Sequence, residues 1–137
     1  MAALAEAGHR VVVTGTPAER GLTRLVSDGI GVDLGGRTDA ASLAGVLRMA
    51  DAAVCGNTGP AHLAAAVGTP VVSLFSPVVP LERWRPYGVP LVVLGDQRAE
   101  CAGSRARECP VAGHPCLSDV TAGDVERAVH KLLQEAR

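Results

Sequence analysis

The chain has 137 residues, 13 of them basic and 14 acidic, for a formal net charge of −1. The length fits one ordinary domain, and an apolar content of 47% is enough for a packed core. The charge balance excludes the basic surface that nucleic-acid binding requires, and no apolar run approaches the ~20 residues that cross a bilayer. Aromatic residues make up only 2% of the chain, so Ala, Val and Leu must fill the core, and side chains that small suit close packing of helices on a sheet. The opening, Met1 to Gly8, carries Glu6 and no basic segment. It predicts no signal peptide, and hence a cytosolic chain whose cysteines are thiols.

In chain order, Met1 to Ala7 reads as a short helix ending at Gly8, and His9 to Val13 as a buried strand. Thr14-Gly15-Thr16-Pro17 is a turn, and Ala18 to Ser27 a helix. Ile30 to Leu34 is a second strand, closed by Gly35-Gly36. Thr38 or Asp39 can cap a helix running to Met49. Ala52 to Cys55 is a third strand, Gly56 to Gly59 a loop, and Pro60 the opening of a helix that Gly68 ends. Val71 to Phe75 and Leu91 to Leu94 are further strands. Gln97 to Leu117 is a loop rich in Cys, Gly, Pro and Arg, and Thr121 to Ala136 is a helix with Val125, Val129 and Leu132 on one face.

Strands alternating with helices at this spacing predict an α/β fold, a doubly wound parallel sheet of Rossmann type with helices on both faces. The strands are continuous apolar runs, as expected where both faces are covered. No repeat or long linker divides residues 1–137, which are read as one domain. The chain opens on a helix where a doubly wound domain opens on a strand, so a first strand is expected upstream.

The informative stretch runs from Asp51 to Pro70 and contains Asn57-Thr58-Gly59-Pro60-Ala61-His62. Its order is strand, glycine-bearing loop, helix. In an open parallel sheet ligands gather at the carboxyl ends of the strands, where a helix start offers free N–H groups and partial positive charge. Gly59 would let a phosphate approach the backbone, Thr58 offers a hydroxyl, and His62 sits in the first turn. Pro60 is placed at the first helical position, where an N–H is free anyway. Spacing alone leaves two readings open: an anion site, or a helix that is merely capped, with His62 satisfied at its edge.

The stretch resembles glycosyltransferase family 9, known best for the ADP-heptose:lipopolysaccharide heptosyltransferases, whose signature is Asp-(Ser/Thr)-Gly-Pro-x-His-Leu-Ala-Ala-Ala-x-Gly-x-Pro. Val11 to Pro17 with Glu19 is similar to that family's second strand and loop. Leu34 to Thr38, followed by Leu43, is similar to its Leu-x-Gly-Lys-Thr segment. Val71 to Pro77 and then Trp84-Arg85-Pro86 follow in the family's order, and Cys116-Leu117 with Val125 to Leu133 resembles its ending. The resemblance implies the C-terminal, donor-binding half of a GT-B fold, here incomplete at its N-terminus and lacking its first strand. It implies further that Thr58, Gly59 and His62 hold a diphosphate, that Glu19 lies near ribose hydroxyls, and that Arg37 and Thr38 lie along the nucleoside, with Gly15 in the same loop system. Asn57 stands where the family has an Asp that contacts sugar hydroxyls. It keeps an acceptor, gains a donor and loses the charge, so the sugar need not be heptose; Asn57 could equally close a turn. Glu19 could equally be a first-turn acid, and Arg37 a solvated charge.

Cys55 reads as core. Cys101, Cys109 and Cys116 gather near His114, but no C-x-x-C is present, so thiols are expected there and no metal.

The expected function is transfer of a sugar from a nucleoside-diphosphate donor to a glycan or glycolipid acceptor, without cofactor or metal. This chain would supply the donor site, possess no catalytic base and be inactive alone. The base would come from an N-terminal GT-B domain in cis or in trans, working in the cytoplasm or at the inner face of the membrane. Two other readings stand beside it: a non-catalytic nucleotide-sugar-binding fragment or subunit, and a sugar-nucleotide epimerase, against which Trp84-Arg85-Pro86 argues.

Overall fold

The computed structural model describes residues 1–135. The expected last helical residue, Ala136, lies outside them. The helices are α1 (Ala2–Glu6), α2 (Arg20–Ser27), α3 (Ala40–Met49), α4 (Gly59–Ala66), α5 (Leu81–Trp84), α6 (Pro115–Ser118) and α7 (Ala122–Glu135), and the strands are β1 (Val12–Val13), β2 (Val32–Asp33), β3 (Ala53–Gly56), β4 (Val71–Leu74) and β5 (Leu91–Leu94). The fold is mixed α/β and every strand pair is parallel. The pairing falls into two sheets, β1-β2 and β3-β4-β5. The chain correspondingly forms two compact units, residues 1–46 and residue 47 onward.

In the first unit the strands are shorter than the apolar runs predict, since only Val12–Val13 and Val32–Asp33 pair as strands. Evenly spaced parallel bonds continue past them, from Val32 N to Val11 O at 3.0 Å, Leu34 N to Val13 O at 2.8 Å and Gly36 N to Gly15 O at 2.7 Å. Helix α2 connects the strands and lies close on them because Gly15 and Gly35 carry no side chain there. A Cβ on Gly15 would stand 2.7 Å from Thr23 Cγ2, and one on Gly35 only 2.0 Å from Thr23 Oγ1. The residues α2 buries are polar, Thr23 and Ser27. Burial costs them little because each hydroxyl bonds back to its own helix, Thr23 to Arg20 O at 3.2 Å and Ser27 to Arg24 O at 3.1 Å. The apolar Leu22, Leu25 and Val26 of the same helix are exposed.

In the second unit the three strands, α4 and α7 stand where the sequence predicts them, whereas α5 was not predicted and α6 opens at Pro115 inside the expected loop Gln97 to Leu117. β4 is the middle strand, with Val71, Val72 and Ser73 all fully buried. Val71 joins Ala53 of β3 and Ala61 and Ala64 of α4 in one cluster, to which Leu47, Cys55, Val89 and Leu91 add. Alternation turns Val72 to the opposite face, and α7 lies along β4 and β5. α7 buries Ala128, Val129 and Leu132, a stripe at helical spacing. The small residues of α4 bring its backbone close to the sheet, so its N-terminus lies beside the carboxyl end of β3, which fixes the candidate site.

Candidate functional site

Between β3 and α4 the chain turns sharply, Thr58 N donating to Gly56 O at 2.8 Å. Thr58 is the N-cap, in extended conformation, and its side chain makes no capping hydrogen bond. The helix begins at Gly59, so Pro60 occupies the second helical position, not the first as expected. The rule behind the expectation still holds there, because the N–H that Pro lacks is also one of the unpaired four. Ala61 N uses Thr58 O at 3.1 Å. Among the described residues, Gly59 N–H donates to nothing. A Cβ added at Gly59 would meet nothing within 4 Å, so the space before the helix is open. Thr58, Gly59 and His62 are all exposed. The first turn of this eight-residue helix thus carries one uncommitted hydroxyl, one backbone donor and one exposed imidazole at its positive end.

Asn57 is differently employed. Its amide spans to the end of β4, Nδ2 donating to Ser76 O at 3.4 Å and Oδ1 accepting from Ser76 N at 3.4 Å. The side chain thus ties two strand ends together instead of closing its own turn. An Asp could accept from Ser76 N but would set its second oxygen against Ser76 O, so this pairing requires the amide.

The remaining predicted residues belong to the first unit. Glu19 ends the 3-10 turn Pro17–Glu19, and its Oε2 accepts from both Thr16 N and Thr16 Oγ1 at 2.7 Å. Those bonds, backbone first, hold its carboxyl below the usual range. Glu19 is therefore a capping acid whose second oxygen has no partner among the described residues. Gly15 is demanded by Thr23, as described. Arg37 closes a turn through its N–H to Leu34 O at 3.0 Å and exposes its side chain. Thr38 does not cap α3; Asp39 does, its Oδ1 accepting from Ser42 N at 2.7 Å.

The sequence reading missed a cavity of about 230 Å³ in this unit, lined by Arg20, Arg24, Asp33, Gly35 and Arg37. The signal was present in part: Arg20 and Arg24 are four apart and share a helix face. It also missed Gln97, whose Nε2 donates to Phe75 O at 2.9 Å and Gly95 O at 3.3 Å, joining the ends of β4 and β5.

Cys101 and Cys116 are buried, while Cys109 is exposed and donates to Val111 O at 3.2 Å. Among the described residues no three His, Cys, Asp or Glu side chains are placed to hold a metal ion. Burial pushes the Cys55 thiol up to about 11, as a core cysteine requires. No described helix is long and apolar enough to cross a membrane.

The family model of glycosyltransferase family 9 (heptosyltransferase) matches residues 1–114, which include the whole Asp51 to Pro70 stretch. The chain belongs to glycosyltransferase family 9. The family match ends before Cys116 and the last helix. No curated protein matches the chain. Among solved structures, a glycosyl transferase family 9 protein from Veillonella parvula superposes with a TM-score of 0.81 at 21% identity, over 97% of this chain and 39% of its own. The ADP-heptose lps heptosyltransferase II of E. coli superposes with a TM-score of 0.80 at 20% identity, over 98% of this chain and 39% of its own. These likenesses show the fold, that of GT-B-like glycosyltransferases. The family 9 chain described here thus spans about two-fifths of the length of either structure.

Proposed function

We propose that this family 9 chain, read as one domain over residues 1–137, forms the donor site of a glycosyltransferase. It would bind a nucleoside-diphosphate sugar whose sugar passes to a glycan or glycolipid acceptor. The observation that carries the reading is the start of α4. There the Thr58 hydroxyl caps nothing, Gly59 N–H has no partner among the described residues, and His62 stands exposed in the first turn of the same helix. Donors at a helix N-terminus suit a diphosphate, and a protonated imidazole would offset the charge that builds on it as the sugar departs. A base that takes the acceptor's proton would come from a further Rossmann-like domain, in cis or in trans. Glu19 retains one carboxylate oxygen for ribose hydroxyls, and Arg37 and Thr38 would lie along the nucleoside. No cofactor is needed.

Calorimetric titration of the full chain with a panel of nucleoside diphosphates and nucleotide sugars tests the reading. Saturable binding that weakens about tenfold in both Thr58→Ala and His62→Ala is expected, the size of one charge-assisted hydrogen bond. Equal affinity in the parent and both variants would remove the diphosphate from this helix.

A further inference from the structure

Arg20, Arg24 and Arg37 line one cavity of the first unit with Asp33 and Gly35. We propose that these three arginines form a binding site for a compact oxyanion, a phosphate group either free or carried as an ester. The inference assigns Arg37 to the oxyanion in place of the nucleoside contact proposed above, and it stands on this cavity whether or not a diphosphate binds at α4.

The charge is the first ground. Three arginines and one aspartate line the cavity, a balance of two net positive charges on a chain whose overall charge is −1. Among the described residues, none of the three forms an ion pair within 4.0 Å with any carboxylate; the pairs present are Arg127 with Asp124 and Lys131 with Glu135. The one carboxylate in the cavity is already engaged elsewhere, because Asp33 Oδ1 accepts from Gly35 N at 2.8 Å. That bond first, then a hydrogen bond from Thr23 and the charges of Arg37 and Arg24, hold Asp33 below the usual range, so it fixes the Gly35 turn and offsets part, not all, of the arginine charge.

Positioning is the second ground. Arg20 and Arg24 sit one turn apart on α2, and Arg37 follows the Gly35-Gly36 turn. Arg20 Nη2 donates to Gly36 O at 3.1 Å, which anchors its guanidinium to that turn, and among the described residues its other donors have no partner. Gly36 must lack a side chain, since its φ is 66° and a Cβ would stand 2.8 Å from Pro17 Cα. Size decides the ligand class. The cavity's 230 Å³ falls below the ~300–1,000 Å³ of sites that enclose a drug-sized molecule, yet far exceeds the ~30 Å³ of one water. It accommodates a phosphate with part of its hydration. Arginine forks match phosphate oxygens in pairs.

The test is NMR titration of the full chain at low ionic strength, with inorganic phosphate, a nucleoside monophosphate and the unphosphorylated nucleoside. Inorganic phosphate should shift the Gly35 and Arg37 amides saturably. Arg24→Gln and Arg37→Gln should each weaken that response about tenfold, the loss of one exposed charge-assisted bond. Both side chains are exposed, and unchanged Val12 and Val32 amide shifts would confirm that the first unit is intact. Arg20 is left in place because it anchors the turn. A monophosphate that binds about tenfold tighter than phosphate, with the nucleoside inert, supports the site and identifies an ester as its ligand. Equal affinities support the site and identify the free anion. A phosphate response unchanged in both arginine variants, or abolished by His62→Ala, overturns the proposal.

Discussion

The two units share one sequence grammar, parallel strands joined through helices, and fill their interiors in opposite ways. In the second unit β4 is buried on both faces, and every buried apolar residue among those described lies in this unit: Ala53, Ala61, Ala64, Val71, Val72, Phe75, Cys101, Cys116, Ala128, Val129 and Leu132. In the first unit the buried side chains are Thr23 and Ser27, while Val12, Leu22, Leu25, Val26, Ile30 and Val32 are all exposed beyond 40%. The difference follows from strand number. A three-stranded sheet has a central strand that helices can cover on both sides. A two-stranded sheet consists of two edges, and such ribbons are marginal on their own. The apolar residues of the first unit thus show what the sequence supplies for burial and what this sheet, by itself, leaves uncovered.

The largest expected effect breaks the comparison at its core. Leu132→Ala, at a fully buried site, should cost about 3 kcal/mol in denaturant unfolding, and Leu25→Ala, at 75% exposure, less than about 0.5 kcal/mol. Comparable costs would mean that Leu25 is buried in solution and that the first unit is covered.

Glycine substitutions sharpen the contrast next. At Gly95 the φ is 119° and an added Cβ would stand 2.7 Å from Phe75 O, so backbone must move. At Gly35, whose φ is not left-handed, the Thr23 hydroxyl can rotate away, while Thr23 Cβ at 2.9 Å yields only by a small shift of α2. Gly95→Ala should therefore cost about 2–3 kcal/mol and Gly35→Ala about 1 kcal/mol, read from thermal midpoints. A reversed order would make the first unit the more rigid.

The smallest effect concerns the capping acids, one in each unit. Glu19 accepts from Thr16 N, and Asp124 accepts from Thr121 N at 2.8 Å; hydrogen bonds from those threonines lower both carboxyls. A carboxyl depressed in the folded state stabilises it fully above its ordinary value, 4.5 for Glu19 and 3.8 for Asp124, and ceases to do so as pH falls through the folded value. Exchange protection of the Thr16 and Thr121 amides should therefore fade on acidification, and Glu19→Gln and Asp124→Asn should remove that dependence. Protection that survives at pH 2 would separate these amides from their acids.

Much of the second unit was legible in the sequence. Leu91–Leu94 was predicted to the residue, Gly68 does end α4 with φ 85°, and the α7 stripe was right for Val129 and Leu132. Strands of four and helices of eight or more carry enough periods to be read. The first unit was harder. The run from His9 to Val13 contains apolar residues enough for a full strand, but its partner strand begins at Val32 and the pairing is only two residues long. The face of α2 was misleading for a different reason. Leu22, Leu25 and Val26 advertise burial, yet Gly15 and Gly35 admit Thr23 more closely, and its hydroxyl finds Arg20 O within the helix.

By itself, the sequence determined the order of elements, the strand-loop-helix at Asn57 to His62, the family, and the charge that a nucleic-acid surface would contradict. These are local or additive properties, set by residue spacing and composition. Only the tertiary structure decided that Asn57 ties itself to Ser76, 19 residues away, and that Arg20 reaches Gly36 across 16. It alone gathered Arg20, Arg24 and Arg37 around one cavity and gave the strands to two sheets. Spacing along a chain fixes which side chains share a face, and the fold chooses what stands opposite that face.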